Sequence, residues 1–186
     1  MSAREEILGR IRFALGDVSP PGIPRAYRRS GGVADPVALF CERVSDYRAT
    51  VHRDLGVLRE LCTGRVVRAP GVDWDAPADS PELSPTELDA VDTALTGCAL
   101  AIAETGTIVL DGGPESGRRA LTLVPDHHVC IVRAEQVVSS VPEAIERLQP
   151  ARPITFVSGP SATSDIELER VEGVHGPRRL DVVVVG

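Results

Sequence analysis

Three short polar segments carry the residues that could do chemistry. They are Glu104-Thr-Gly-Thr107, Asp126-His-His128, and the stretch from Ser158 to Glu167 with His175 beyond it. In the third, the apolar run Ile154-Thr-Phe-Val157 stops at Ser158-Gly-Pro160. Ser161, Thr163, Ser164, Asp165 and Glu167 follow, and a second turn, Gly173-Val-His-Gly-Pro177, brings His175. A packed core has no use for such a cluster, whereas a strand delivering polar groups to a ligand rim does. His127, His128 or His175 could act as general base, because a neutral imidazole is available near neutral pH. His127 and His128 sit at a strand entrance, where neighbours point to opposite faces, so at most one of them faces any given site. If Asp165 opens a helix, the Ser161–Ser164 segment lies at a helix N-terminus that favours an anion, with Arg170, Arg178 or Arg179 adding charge. Plain N-capping by Thr163 or Ser164 accounts for the same residues equally well. Glu104 is open to two readings as well: a functional carboxylate between two buried strands, or a solvated hairpin tip.

Several chemistries are excluded by what the chain lacks. It contains no lysine, all 20 Lys+Arg residues being arginine, which removes Schiff-base, pyridoxal-phosphate and Walker A lysines. The cysteines at 41, 62, 98 and 130 form no C-x-x-C pair, so the local signals for zinc ribbons, thioredoxin-like motifs and iron–sulfur runs are missing. They read as buried, reduced thiols. There is no nucleophile elbow, GxGxxG fingerprint, P-loop or HExxH. A net charge of −7 with 3% aromatics argues against nucleic-acid binding, and Arg25, Arg28 and Arg29 read as part of a solvated linker. No apolar run reaches the ~18 residues of a membrane span, and the N-terminus lacks a signal-peptide block. The expectation is a soluble, cytoplasmic protein.

The elements that must position these groups follow from periodicity and caps. Ser2-Ala-Arg-Glu5 is a capping box opening a helix over about 2–15. The Pro- and Gly-rich stretch 16–34 is a linker, so 1–33 reads as an arm and 34–186 as the domain. Asp35-Pro36 starts a long helix whose face runs from Val37 to Leu58, with a break near 53, and His52 beside that stripe reads as structural or exposed. Arg65–Arg68 is a strand, 70–85 an irregular loop with Trp74 over the core edge, and Ser84-Pro-Thr-Glu87 opens a helix to about Leu95. Residues 98–110 read as strand, turn at Gly106, and strand 107–110. Arg118–Val124 reads as extended, 129–132 as a strand, and a helix begins near Val141-Pro142. Strands 154–158 and 181–185 close the chain, both continuous enough to be covered on two faces. Strand 129–132, helix 142–149 and strand 154–158 form an expected β-α-β unit. The fold class is α/β, three-layer, with a mostly parallel sheet and an antiparallel hairpin element.

Four motifs in order carry a family resemblance: Ala101-Ile-Ala-Glu-Thr-Gly-Thr107, Pro125-Asp-His-His128, Gly159-Pro-Ser-x-Thr-x-Asp-Ile-Glu167 and Gly173-Val-His-Gly-Pro177. Together, over about residues 84–186, they resemble the LUD domain of the LutC/YkgG lactate-utilisation family. The resemblance implies a fold of the NagB/RpiA/CoA-transferase-like group. It implies a role in oxidising L-lactate to pyruvate beside LutA- and LutB-like partner proteins, which hold the iron–sulfur clusters while this chain binds no cofactor or metal and takes a small anionic ligand. The residues carried over, without assigned roles, are Glu104, His127, Asp165, Glu167 and His175 as catalytic candidates. Thr105, Gly106, Gly159, Pro160, Ser161, Thr163 and Gly176 are the ligand-binding ones. Ala162 stands where the family commonly has arginine. If that arginine grips a carboxylate, this chain uses another, with Arg118, Arg119 and Arg178 as candidates. A stand-alone enzyme related to formyltetrahydrofolate cyclo-ligases or sugar-phosphate isomerases, or a noncatalytic scaffold, are the alternatives.

Overall fold

The computed structural model describes residues 2–19, 21–149, 152–163, 171–173 and 175–186. Helix α1 (Ala3–Leu15) is held by its capping box, Ser2 Oγ accepting from the Glu5 amide and Glu5 accepting from the Ser2 amide, and it buries none of its residues. Arg28 and Gly31 tie the following segment down: Arg28 donates to both carboxylate oxygens of Glu104 at 2.6 and 2.7 Å, and the Gly31 amide donates to Glu143 at 2.6 Å. Helix α2 (Pro36–Asp46) is capped by Asp35, whose carboxylate accepts from the Ala38 amide, and it buries Phe40 and Val44 one turn apart.

The expected long helix ends there. Arg48 takes a positive φ of 68°, and the chain enters strand β1 (Thr50–His52). Val51, Leu55 and Leu58 fit a helical stripe, but they serve a strand, a 3-10 turn and the short helix α3 (Leu58–Leu61) instead. Strand β2 (Val66–Arg68) precedes α4 (Pro85–Leu88), whose capping box and N-terminal proline are present. The expected continuation of α4 to Leu95 does not form. Thr93-Ala-Leu-Thr96 is fully buried as strand β3 (Thr93–Thr96), and the Asp92 carboxylate at its start accepts from the Arg65 amide. Tertiary pairing overrides the local helical signal.

Strands β4 (Leu100–Ile102) and β5 (Thr107–Leu110) form the expected hairpin. Arg119–Thr122 is a 3-10 turn with Leu121 and Thr122 buried, not an extended segment. Then come β6 (His127–Arg133), β7 (Val137–Val138), α5 (Val141–Arg147), β8 (Thr155–Val157), β9 (Ala162–Thr163), β10 (Val171–Glu172) and β11 (Arg179–Val185). The central sheet is wholly parallel in the order β1-β11-β6-β3-β2, and a second sheet runs β7-β4-β5-β8. The protein is thus an α/β fold whose antiparallel hairpin lies in a second, mixed sheet, where β7 runs parallel to β4.

The expected β-α-β unit is corrected by this topology. β8 pairs antiparallel with β5 at the edge of the second sheet, not beside β6. The cause is β7, which leaves the central sheet and pairs with β4 before α5 begins. As an edge strand, β8 also leaves Phe156 half exposed, so it is not covered on both faces, whereas β11 is buried from Leu180 to Val184.

One core lies between the two sheets and α2, with Phe40, Val44, Ile108, Cys130, Val132 and Val182. A second covers the opposite face of the central sheet, where Leu58, Leu61 and Cys62 pack on Leu95, Val129 and Val183. A third packs α5 on the outer face of the second sheet. Because side chains alternate along a strand, the register His127↔Arg179 and His128↔Leu180 sends these pairs to opposite faces of the central sheet.

Candidate functional site

A cavity of about 220 Å³ opens where the end of β8 meets the starts of β6 and β11. Its walls are Val157, Ser158, Gly159, Pro160 and Ser161 on one side and the His175-Gly-Pro177 turn on another. Arg119 and Thr122 come from the 3-10 turn, and His128 and Leu180 from the central sheet. The turn after β8 needs glycine. Gly159 has φ 93°, and a Cβ there would collide with the Tyr47 carbonyl oxygen and lie 2.7 Å from Tyr47 Cβ. The two rim segments are stitched together by Ser161, whose amide donates to Pro177 O at 2.8 Å and whose hydroxyl accepts from the His175 amide at 3.0 Å.

His128 is 1% exposed and its Nε2 lies 2.8 Å from Thr96 Oγ1. Burial, reinforced by the charges of His127 and Arg119, holds its pKa down at about 3. The imidazole facing this cavity is therefore neutral at physiological pH, a hydrogen-bonding group and a very weak base. Arg119 Nη1 donates to Thr122 Oγ1 at 3.1 Å. No carboxylate occurs among the cavity-lining residues described, so its fixed charge there is one cation.

The Glu104–Thr107 segment reaches the cavity indirectly. Thr105 Oγ1 lies 2.7 Å from Thr107 Oγ1, which lies 2.7 Å from Ser158 Oγ in the cavity wall. Gly106 lets this turn touch α2, since a Cβ at its φ of 59° would be 2.6 Å from the backbone of Arg43 and Val44. Glu104 itself is exposed and paired with Arg28.

The structure therefore brings Gly159, Pro160, Ser161, His175 and Gly176 together at one cavity and attaches Thr105 to it through a hydroxyl chain. It places Glu104 and Gly106 elsewhere and sends His127 to the opposite face of the sheet. Asp165 and Glu167 lie outside the described residues. Thr163 lies in β9, paired with Val171 across a two-residue ladder, and the helix considered from Asp165 onward lies outside the described residues. Of the three arginines considered for the carboxylate, Arg119 lines the cavity. Arg118 donates to the carbonyls of Pro81 and Leu83, and Arg178 pairs with Asp126 at 2.9 Å.

On the opposite face a second polar cluster forms around Asp181, which is fully buried. Its carboxylate takes His52 Nε2 at 2.6 Å, His127 Nε2 at 2.8 Å and Arg179 Nε at 2.7 Å, and Thr93 Oγ1 lies 3.3 Å from His127 Nδ1. Burial pushes the Asp181 pKa up, but the hydrogen bonds from His127, His52 and Arg179 outweigh it and hold the group at about 2. Asp181 is thus ionised at any ordinary pH and fixes both imidazoles. This cluster was not read from the sequence. The signal was present: an aspartate opening the run Asp181–Val185 must be paired if buried, and two histidines had no assigned partner.

Among the described residues no three His, Cys, Asp or Glu side chains converge as metal ligands. Cys62, Cys98 and Cys130 are buried and Cys41 partly so. Burial, with the Asp181 charge, pushes the Cys62 thiol up to about 11.

Comparison with known proteins places this geometry in context. The LUD domain profile matches residues 48–185. The "lactate utilization protein C" of Deinococcus radiodurans is 43% identical over 204 aligned positions, covering 99% of this chain and 96% of that protein. YkgG of Escherichia coli is 29% identical, covering 82% of this chain and 68% of that protein. A crystal structure of a DUF162 family protein from D. radiodurans matches with a TM-score of 0.69 at 40% identity, over 82% of this chain and 98% of that one. Profile, near-full-length identity and shared architecture agree, and the chain belongs to the LUD domain family.

Proposed function

We propose that this chain is the C-type component of a lactate-utilisation system and supports oxidation of L-lactate to pyruvate. The reaction releases two electrons and two protons. In this reading the electrons pass to iron–sulfur clusters held by LutA- and LutB-like partner proteins, and this chain holds no cluster of its own. The observation that carries the reading is the cavity between β8, β6 and β11, where Arg119, Ser158, Ser161 and His175 offer a small anionic ligand a cation and hydroxyls. Near-full-length identity to a protein named for lactate utilisation supports it. Its position on a rigid two-sheet scaffold supports a site held in one geometry, as ligand sites generally are.

The test is genetic and biochemical. Deleting the gene is expected to abolish growth on L-lactate as sole carbon source while growth on pyruvate is unchanged. Tagged protein purified from lactate-grown cells is expected to bring cysteine-rich iron–sulfur proteins with it. Undiminished growth of the deletion strain on lactate would refute the proposal.

A further inference from the structure

Helix α1 has the sequence of a helix that packs, yet it packs on nothing in its own chain. At 13 residues it is only marginally stable in water by itself. Ile7, Ile11 and Leu15 recur every fourth residue and form one apolar face. All three are exposed, and Phe13 is 90% exposed. Seven of the thirteen exposed large apolar side chains among the described residues fall within the first 27 positions, so unpartnered apolar surface is concentrated in the arm. The stripe is flanked by charge. Arg4 lies three residues before Ile7 and Arg12 three before Leu15, the spacing of helical neighbours. Among the described residues neither has a carboxylate partner, whereas Arg10 is held by Glu6.

A groove of complementary chemistry lies beside α3. It measures about 290 Å³, with Leu55, Leu58 and Trp74 as its apolar floor and Arg59, Asp73 and Asp75 on its rim. Trp74 is partly buried against the core that covers this face of the central sheet. Asp73 and Asp75 are exposed, and among the described residues neither meets a cation or a hydrogen-bond donor. Other acids of this protein are paired: Asp79 with Arg65, Asp111 with Arg152, Glu115 with Arg133. The rim sets two carboxylates against one guanidinium, and α1 sets three arginines against two glutamates. The two surfaces thus match in apolar area and are opposite in charge.

The arm does not reach the groove of its own chain. Arg28 and Gly31 pin its base to Glu104 and Glu143, at the second sheet and the start of α5. α5 covers the outer face of the second sheet, and the groove lies beyond the opposite face of the central sheet. A chain of this length folds with a radius of gyration of about 16 Å, hence a diameter of about 40 Å and a path of about 60 Å over the surface from one side to the other. Residues 16–27 extend at most about 43 Å, and the four helical residues back to Ile11 add about 6 Å. The groove within reach belongs to another molecule.

We propose that α1 of one copy lays its Ile7–Ile11–Leu15 face on the Leu55–Leu58–Trp74 groove of a second copy of this chain, with Arg4 and Arg12 against Asp73 and Asp75. Each copy offers one arm and one groove, so reciprocal exchange closes a two-fold dimer and leaves neither surface over. Two short helix contacts make a small interface, and the expected dissociation constant is about 1–100 µM.

Analytical ultracentrifugation of the full chain from about 1 to about 300 µM tests this. The emission of Trp74, the one tryptophan of the sequence, is read on the same samples. A monomer–dimer equilibrium is expected, with Trp74 emission moving to shorter wavelength as the dimer fills. Ile11→Ser is expected to raise the dissociation constant at least about tenfold. The paired reversals R4E/R12E and D73R/D75R are each expected to do the same, and all four together to restore it to within about threefold of the parent. These positions are exposed, so the variants are expected to keep the parental urea midpoint at low concentration, which verifies that they fold. A chain that stays monomeric throughout, a dimer that Ile11→Ser leaves intact, or reversals that fail to compensate each other overturns the assignment. A monomer whose Trp74 emission responds to Ile11→Ser would put the arm on its own groove and overturn it as well.

Discussion

Replacing Asp181 with asparagine keeps the shape of the side chain and removes its charge. The native carboxylate is fully buried and accepts from three donors, His52 Nε2, His127 Nε2 and Arg179 Nε. Asparagine keeps one acceptor oxygen and presents an NH₂ where the other oxygen stood, so the group opposite it either faces a donor or, as an imidazole, must shift its proton to the other ring nitrogen. Hydrogen bonds to charged groups contribute about 1.5–3 kcal/mol each, and removing one partner of a buried pair costs about 3–5 kcal/mol. The displaced titration gives a lower figure. A fall from 3.8 to about 2 corresponds to about 2 kcal/mol of extra stability. Asp181→Asn is therefore expected to lose about 2–4 kcal/mol at neutral pH by urea unfolding.

The pH dependence is a stricter check. A carboxylate whose folded pKa is depressed adds stability above its unfolded pKa and loses it as pH falls towards the folded value. The gap between parent and variant is expected to narrow by about 1 kcal/mol between about pH 5 and about pH 3. His128 also destabilises the fold in acid, because the unfolded chain takes up the proton that the buried ring refuses. It does so in both proteins and cancels in the difference. A variant within about 0.5 kcal/mol of the parent at neutral pH, or a gap that does not narrow in acid, would refute the reasoning.

Three further outcomes follow from single positions. Gly159→Ala is expected to cost about 1–3 kcal/mol, because φ 93° and the Tyr47 carbonyl both oppose a Cβ, and urea unfolding measures it. The His128 ring protons are expected to show no titration between about pH 5 and about pH 8 by NMR, since its pKa is held near 3; a midpoint near 6.5 would contradict the buried, neutral imidazole. Removing residues 1–30 is expected to lower the unfolding free energy by no more than about 1 kcal/mol, because α1 buries none of its residues and the Arg28–Glu104 pair lost with it is exposed, and to reduce the recovery of copurifying partners.

The caps and turns were legible because their chemistry is local. Ser2 with Glu5, Ser84 with Glu87, Asp35 with Pro36, and the glycine turn at 106 each announce themselves within four residues. β1 and β3 were hidden because Val51 continues a helical period with Leu55 and Leu58, and Leu95 continues one with Leu88, although Val51 and Leu95 serve strands. Only pairing with β11 or with β2 and β6 decides between them. The rim expected at the carboxyl ends of one sheet also assumed that 129–132 and 154–158 were neighbours in it. Because β8 belongs to the second sheet, its carboxyl end meets the amino ends of β6 and β11, and the cavity forms there. That join selects Arg119 among the candidate arginines, and His128 rather than His127 as the cavity-facing member of that pair. Strand alternation had shown that only one of the two histidines could do so, and the register decides which.

The cavity at the end of β8 is proposed to serve lactate utilisation. It is tested most directly by measuring L-lactate consumption in a deletion strain carrying either the parental chain or Arg119→Leu at equal protein levels. No consumption is expected in the deletion strain, full recovery with the parental chain, and at most about a tenth of that rate with Arg119→Leu. Parental consumption by the deletion strain, or full recovery with Arg119→Leu, would contradict it.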